Sequence, residues 1–208
     1  MKATIVVLAL MTALALSAPP SHAVPVLLGT TLSGANENPV VNSPGTGQAQ
    51  VTLDAAANTL AINVTFSNLL APTSAAHIHC CAPLGTNAVV ATTVPAFPGF
   101  PLGVTSGTYS GILDLTSPVS YRGGLNPGGF IDQNGGTVAA AEAVFIAGLL
   151  AGNTYLNIHT TANPGGEIRG QLLRVPEPAS LLLVALGLLG LRASAALRTR
   201  IHHRELPG

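Results

Sequence analysis

Three histidines carry the clearest chemical signal in this chain. His77-Ile78-His79 places two imidazoles two residues apart, and His159 ends the run Tyr155-Leu156-Asn157-Ile158-His159. On a β-strand, residues i and i+2 point to one face. Two imidazoles at that spacing can chelate one metal ion from a single strand. In the second run Leu156 and Ile158 share one face, while Tyr155, Asn157 and His159 share the other. If Ile78, Leu156 and Ile158 enter the core from neighbouring strands, all three imidazoles face the other way and form one cluster. Three imidazoles suit copper or zinc. The competing expectation is that they hydrogen-bond at a sheet surface or a loop junction, without metal.

Cys80-Cys81 follows His79 directly, and the chain has no other cysteine. Adjacent α-carbons stand about 3.8 Å apart, below the roughly 4.4 Å of relaxed disulfides. Three states are open: a vicinal disulfide, an intermolecular bridge, or soft ligands beside His79. The vicinal disulfide is favoured, and it would stiffen the turn into Ala82-Pro83-Leu84-Gly85. Further on, Asn163-Pro164-Gly165-Gly166 is a turn signal. It leads into Glu167-Ile168-Arg169, where the two charges share a strand face. A same-face ion pair is the simple expectation. The alternative sends one charge to the histidine face to orient an imidazole.

Composition narrows the function classes. The 208 residues are 48% hydrophobic and 8% charged, with a formal net charge of 0. A nucleic-acid partner is excluded, because binding by bulk charge needs a dense basic face. Between Val24 and Arg174 six acidic residues (Glu37, Asp54, Asp114, Asp132, Glu142, Glu167) oppose Arg122, Arg169 and Arg174, a net of −3. The only lysine is Lys2. A chain that loses its leader therefore offers no phosphate-loop or Schiff-base lysine. Neither Gly-x-Ser-x-Gly nor His-Glu-x-x-His occurs. The carboxylates are few and separated, so no enzymatic activity is expected.

The elements that must position these residues are mostly strands. Leu60, Ile62, Val64 and Phe66 alternate with Ala61, Asn63, Thr65 and Ser67, a period of two. Asp54 to Asn58 joins this run to Gln48–Asp54 as a hairpin. Further strands are expected at 26–32, 76–80, 88–92, 109–113, 154–160 and 167–173. Val94 to Gly107 holds Pro95, Pro98 and Pro101 and reads as a surface loop tacked down by Phe97 and Phe100. Thr137 can cap a helix over Val138–Ala151 that ends at Gly152. The expected fold is all-β, mainly an antiparallel β-sandwich, with one short α-helix.

The ends read as address labels. Lys2, the apolar run Ile5–Leu16 and Ser21-His22-Ala23 form a signal peptide over residues 1–23, cut by signal peptidase after Ala23. Residues 24–174 form the domain. Residues 175–208 open with Pro176-Glu177-Pro178, continue through an apolar helix that would enter the membrane over 179–197, and end in spaced arginines. This end resembles the PEP-CTERM sorting signal, which implies an exosortase as partner. The tail Ile201–Gly208 is longer than that pattern.

The domain resembles the CHRD (chordin-like) family. The resemblance rests on Leu32-Ser33-Gly34-Ala35-Asn36-Glu37-Asn38-Pro39 with Gly45 and Gly47, on His77-Ile78-His79, and on Tyr155 to Leu172 with its Gly170-Gln171-Leu172 end. Glu37, Glu167 and Arg169 lie in these motifs as candidate supporting residues. The resemblance implies a secreted β-rich module without established activity or cofactor, and leaves its extracellular ligand open. Two functions follow: a non-enzymatic module of the cell envelope or extracellular matrix, or an exported copper- or zinc-binding protein using His77, His79 and His159.

Overall fold

The computed structural model describes residues 24–176. The leader, Glu177 and Pro178 of the sorting motif, and the C-terminal apolar segment lie outside the described residues.

Nine strands form one antiparallel sheet in the order β5-β4-β7-β8-β1-β2-β3-β6, with β9 also on β1. They are β1 (Val26–Ser33), β2 (Thr46–Asp54), β3 (Thr59–Ser67), β4 (Thr73–Cys80), β5 (Val89–Val90), β6 (Gly107–Asp114), β7 (Thr154–Thr160), β8 (Ile168–Gln171) and β9 (Leu173–Arg174). A one-turn helix α1 (Phe130–Gln133) precedes α2 (Val138–Leu150). The period-two run became β3, buried at Leu60, Ile62, Val64 and Phe66. The Asp54 carboxylate closes the β2–β3 hairpin by accepting the N–H groups of Ala56 and Ala57, both at 3.0 Å. Thr137 caps α2 by accepting the Ala140 N–H at 3.2 Å.

Inward side chains from both halves of the sheet enter one apolar core. Leu28, Val51, Ile62, Ile78, Leu156 and Ile158 all belong to it, and α2 adds Phe145 and Leu149. The halves therefore face each other as sandwich layers do, yet they belong to one continuous, curled sheet. The continuity runs through β1, which pairs with β2 along its whole length and with β8 and β9 on its other side. That second seam is tight. A Cβ on Gly170 would collide with Thr30 and with the Thr31 carbonyl, so only glycine lets β8 pass there. Among the described residues, every fully buried apolar residue of the core lies between Leu28 and Leu172. Phe97 and Phe100 pin the proline-rich loop to it, with Phe100 stacked on Phe66 at 5.5 Å.

The strands β7 and β8 are buried on both faces along their whole length, and β4 is so from Ala76 to Cys80. One face meets the core. The other lies beneath two loops, residues 34–45 and 81–88, and it holds the polar residues of interest.

Candidate metal centre

The register of β4 against β7 assembles the site. His79 pairs with Tyr155, His77 with Asn157 and Ala75 with His159. With Ile78, Leu156 and Ile158 in the core, alternation sends His77, His79, Tyr155, Asn157 and His159 to the loop-covered face. The His77 ring lies 4.8 Å from His79 and 4.5 Å from His159, centroid to centroid. One ligand atom from each histidine lies within 4.8 Å of the others. Nitrogens bound to one ion stand no more than about 4 Å apart. The cluster lies just outside that spacing.

The histidines are 5%, 8% and 7% exposed, so of the two non-metal placements, sheet surface or loop junction, they take the loop junction. Two of them are oriented by the backbone. Nδ1 of His79 bonds the Ala88 carbonyl at 2.8 Å, and Nδ1 of His159 bonds the Pro164 carbonyl at 2.9 Å. A carbonyl only accepts, so each Nδ1 carries the proton and each Nε2 keeps a free lone pair. Nε2 of His79, Nε2 of His159 and Nδ1 of His77 are buried without a hydrogen-bond partner. Burial holds all three rings neutral. It drives His77 down to about 3, helped by His159 and His79, and His79 down to about 4 despite its bond to Ala88. His159 is lowered by burial too, against its bond to Pro164.

Arg169 reaches this face and ties the loops down. Its Nε donates to the Asn36 carbonyl at 2.6 Å and its Nη1 to Asn87 Oδ1 at 2.7 Å. Its guanidinium lies 4.6 Å from the centre of the Tyr155 ring, which in turn stacks on His79 at 4.6 Å. Asn38 and Asn87 cross-link the two loops, Asn38 through the Gly85 carbonyl and Asn87 through that of Asn38. Glu37 Oε2 sits 3.8 Å from Arg169 Nε, too long for a direct hydrogen bond. Its Oε1 is buried without a partner. Burial outweighs the nearby guanidinium and raises the Glu37 carboxyl to about 7.

Glu167 corrects the expected ion pair. It lies just before β8, and its carboxylate turns away from Arg169. It accepts from Ser43 Oγ at 2.6 Å, the Leu70 N–H at 2.7 Å, Thr160 Oγ1 at 2.6 Å and Asn163 Nδ2 at 3.5 Å. Burial acts to raise its pKa, but these donors prevail and it is lowered. Glu167 thus knots three loops together, and Arg169 has Glu37 as its charged neighbour. The cysteines also part from the histidines. The Sγ atoms of Cys80 and Cys81 meet each other beside Gly148 of α2, on the opposite side of β4. They are not ligands beside His79. The sequence pattern missed the loop contributions of Asn36, Asn87, Ala88 and Pro164. Their only local signal was asparagine clustering in turns.

A curled antiparallel sheet whose outer face buries three convergent imidazoles under cross-linked loops defines a mainly antiparallel β domain. Residues 28–172 match the CHRD domain, and the chain belongs to that family. Residues 174–200 match the PEP-CTERM protein-sorting motif, which implies handling by exosortase-type machinery and an exported, envelope-associated protein. No curated protein and no solved structure matches the chain.

Proposed function

We propose that the chain is an exported, non-enzymatic module of the cell envelope or extracellular matrix that holds a copper or zinc ion between His77, His79 and His159. One observation carries the metal assignment. Three imidazole nitrogens converge, buried and unpartnered, in rings that burial keeps neutral. Buried polar atoms in folded proteins nearly always have partners. Metal-bound histidines commonly donate their second nitrogen to a carbonyl, as His79 and His159 do here. The loop cover suits holding an ion more than meeting a bulky substrate.

Calorimetric titration of the full chain with Cu(II) and with Zn(II) tests this. One saturable site of sub-micromolar Kd is expected, absent in the triple His77→Ala, His79→Ala, His159→Ala variant. No saturable binding, or equal binding by the variant, defeats the assignment.

Delivery follows from the ends. Signal peptidase releases the chain after Ala23, residues 179–197 hold it at the membrane, and exosortase acts at Pro176-Glu177-Pro178. Replacing those three residues with alanines should leave the protein at the inner membrane, whereas unchanged release would refute this route.

A further inference from the structure

A second chemical site lies on the core side of β4, independent of the histidines. Cys80 ends the strand and is 1% exposed, whereas Cys81 is exposed. Both sulfurs abut α2 where it carries Gly148: a Cβ there would stand 2.6 Å from each Sγ. The pair lines a cleft of about 360 Å³ whose other walls include Val89, Phe130, Gln133 and Val144.

Two hydrogen-bonding groups stand beside the sulfurs, and a disulfide uses neither. The Val144 carbonyl oxygen is 3.7 Å from Cys81 Sγ, a contact in which a thiol can donate and a disulfide sulfur cannot. Thr154 lies directly opposite Cys80 in the β4–β7 register. It is wholly buried, its hydroxyl has no partner, and its Cγ2 packs toward the same point over Gly148. Directly opposed residues of paired strands have Cβ atoms about 5 Å apart. A turn of the Thr154 side chain about its Cα–Cβ bond, exchanging Cγ2 for the hydroxyl, therefore aims the hydroxyl at Cys80. A buried hydroxyl left without a partner is unfavourable. A thiolate at Cys80 supplies the missing acceptor.

We propose that Cys80 and Cys81 form a vicinal disulfide that exchanges with small thiols. A thiolate attacks Sγ of Cys81, the exposed member. The bond between the two cysteine sulfurs breaks, and Cys80 leaves as a thiolate that accepts from the Thr154 hydroxyl. Cys81 is now joined to the incoming sulfur. A second thiolate attacks that incoming sulfur and leaves as the small-molecule disulfide. Cys81 departs with the electron pair, takes a proton from solvent and hydrogen-bonds through it to the Val144 carbonyl. Two small thiolates are oxidised to one disulfide while the protein pair is reduced to a Cys80 thiolate and a Cys81 thiol, a balanced two-electron exchange that takes up one proton from solvent. An oxidising compartment keeps the resting pair closed. The small cleft favours a low-molecular-weight thiol as the reductant.

The test equilibrates the folded full chain with mixtures of reduced and oxidised glutathione, quenches with a maleimide, and reads the products by mass spectrometry. Reversible conversion is expected, with the transient glutathione adduct on Cys81. Thr154→Val keeps the shape and removes the hydroxyl. It should shift the exchange constant about tenfold toward the disulfide, the effect of losing one hydrogen bond to a charged sulfur. Thr154→Ser should retain the wild-type constant. A pair that glutathione does not open in the folded chain, an adduct on Cys80, or a Thr154→Val constant equal to wild type would each overturn the proposal. Metal binding by the histidines is untouched by any of these outcomes.

Discussion

The imidazole rings of His77 and His159 lie 4.5 Å apart, held there by the direct pairing of His77 with Asn157, two residues before His159 on the same face of β7. Their placement depends on register, because a one-residue slip of β7 against β4 would turn His159 into the core. The same burial that keeps the rings neutral makes the domain sensitive to acid.

His77 and His79 ionise at about 6.5 when unfolded and near 3 and 4 when folded. Between those limits the unfolded chain binds more protons. The histidines' contribution to metal-free stability should therefore be full above about pH 6.5 and be lost as the pH drops toward 4. The lowered pKa of Glu167 adds loss in the same direction at the acid end. Thermal melts of the metal-free chain from pH 7 to pH 4 should show a steadily falling Tm. The His77→Ala, His79→Ala pair should flatten that fall, and an unchanged slope in the variant would contradict the burial argument.

Glu37 acts in the opposite sense. Its carboxyl is raised from 4.5 to about 7, so its contribution is complete below about pH 4.5 and fades as the pH rises through 7. Glu37→Gln keeps the shape without the charge. Between about pH 4.5 and pH 7 the variant should therefore gain on the wild type as the pH rises, measured by urea midpoints. A constant difference between variant and wild type across that window would show that Glu37 is fully ionised beside Arg169.

Glu167→Ala should be among the most damaging single changes outside the apolar core. It strands the Ser43 and Thr160 hydroxyls and the Leu70 N–H at once. Donors to a charged acceptor contribute about 1.5–3 kcal/mol each and are not additive, so a loss of about 3 kcal/mol or more is expected. Urea unfolding measures it, and a loss below about 1 kcal/mol would refute the knot.

Gly170→Ala tests the seam between the two halves of the sheet. The added methyl meets Thr30 and the Thr31 carbonyl, which are held by β1. The cost should reach about 2 kcal/mol or more through displaced strands. Amide exchange should then quicken at Ser33 and Arg169, which pair across the seam. Wild-type protection there would show that β1 and β8 tolerate separation.

Much of this was legible in the residues because β-structure writes itself locally. Alternation located β3 and β7, prolines located the loop pinned by Phe97 and Phe100, and Thr137 located the start of α2. The same alternation put His77, His79 and His159 on one face, and only the pairing of β4 with β7 had to be supplied by the fold. Charge partners were not legible. Glu167 and Arg169 are two residues apart, yet the first answers to Ser43 and Leu70 and the second to Asn36 and Asn87. A two-residue spacing fixes direction along a strand, whereas a long side chain pairs with whatever loop closes over it. The one-turn α1 carries no repeat long enough to mark it.

The most direct measurement of the central assignment is to count the imidazole nitrogens on one bound Cu(II) by pulsed electron paramagnetic resonance of the full chain loaded with a single equivalent. Three histidines on one ion are expected, falling to two in each of His77→Ala, His79→Ala and His159→Ala. A spectrum without imidazole nitrogens, or one that survives all three substitutions unchanged, would contradict the centre.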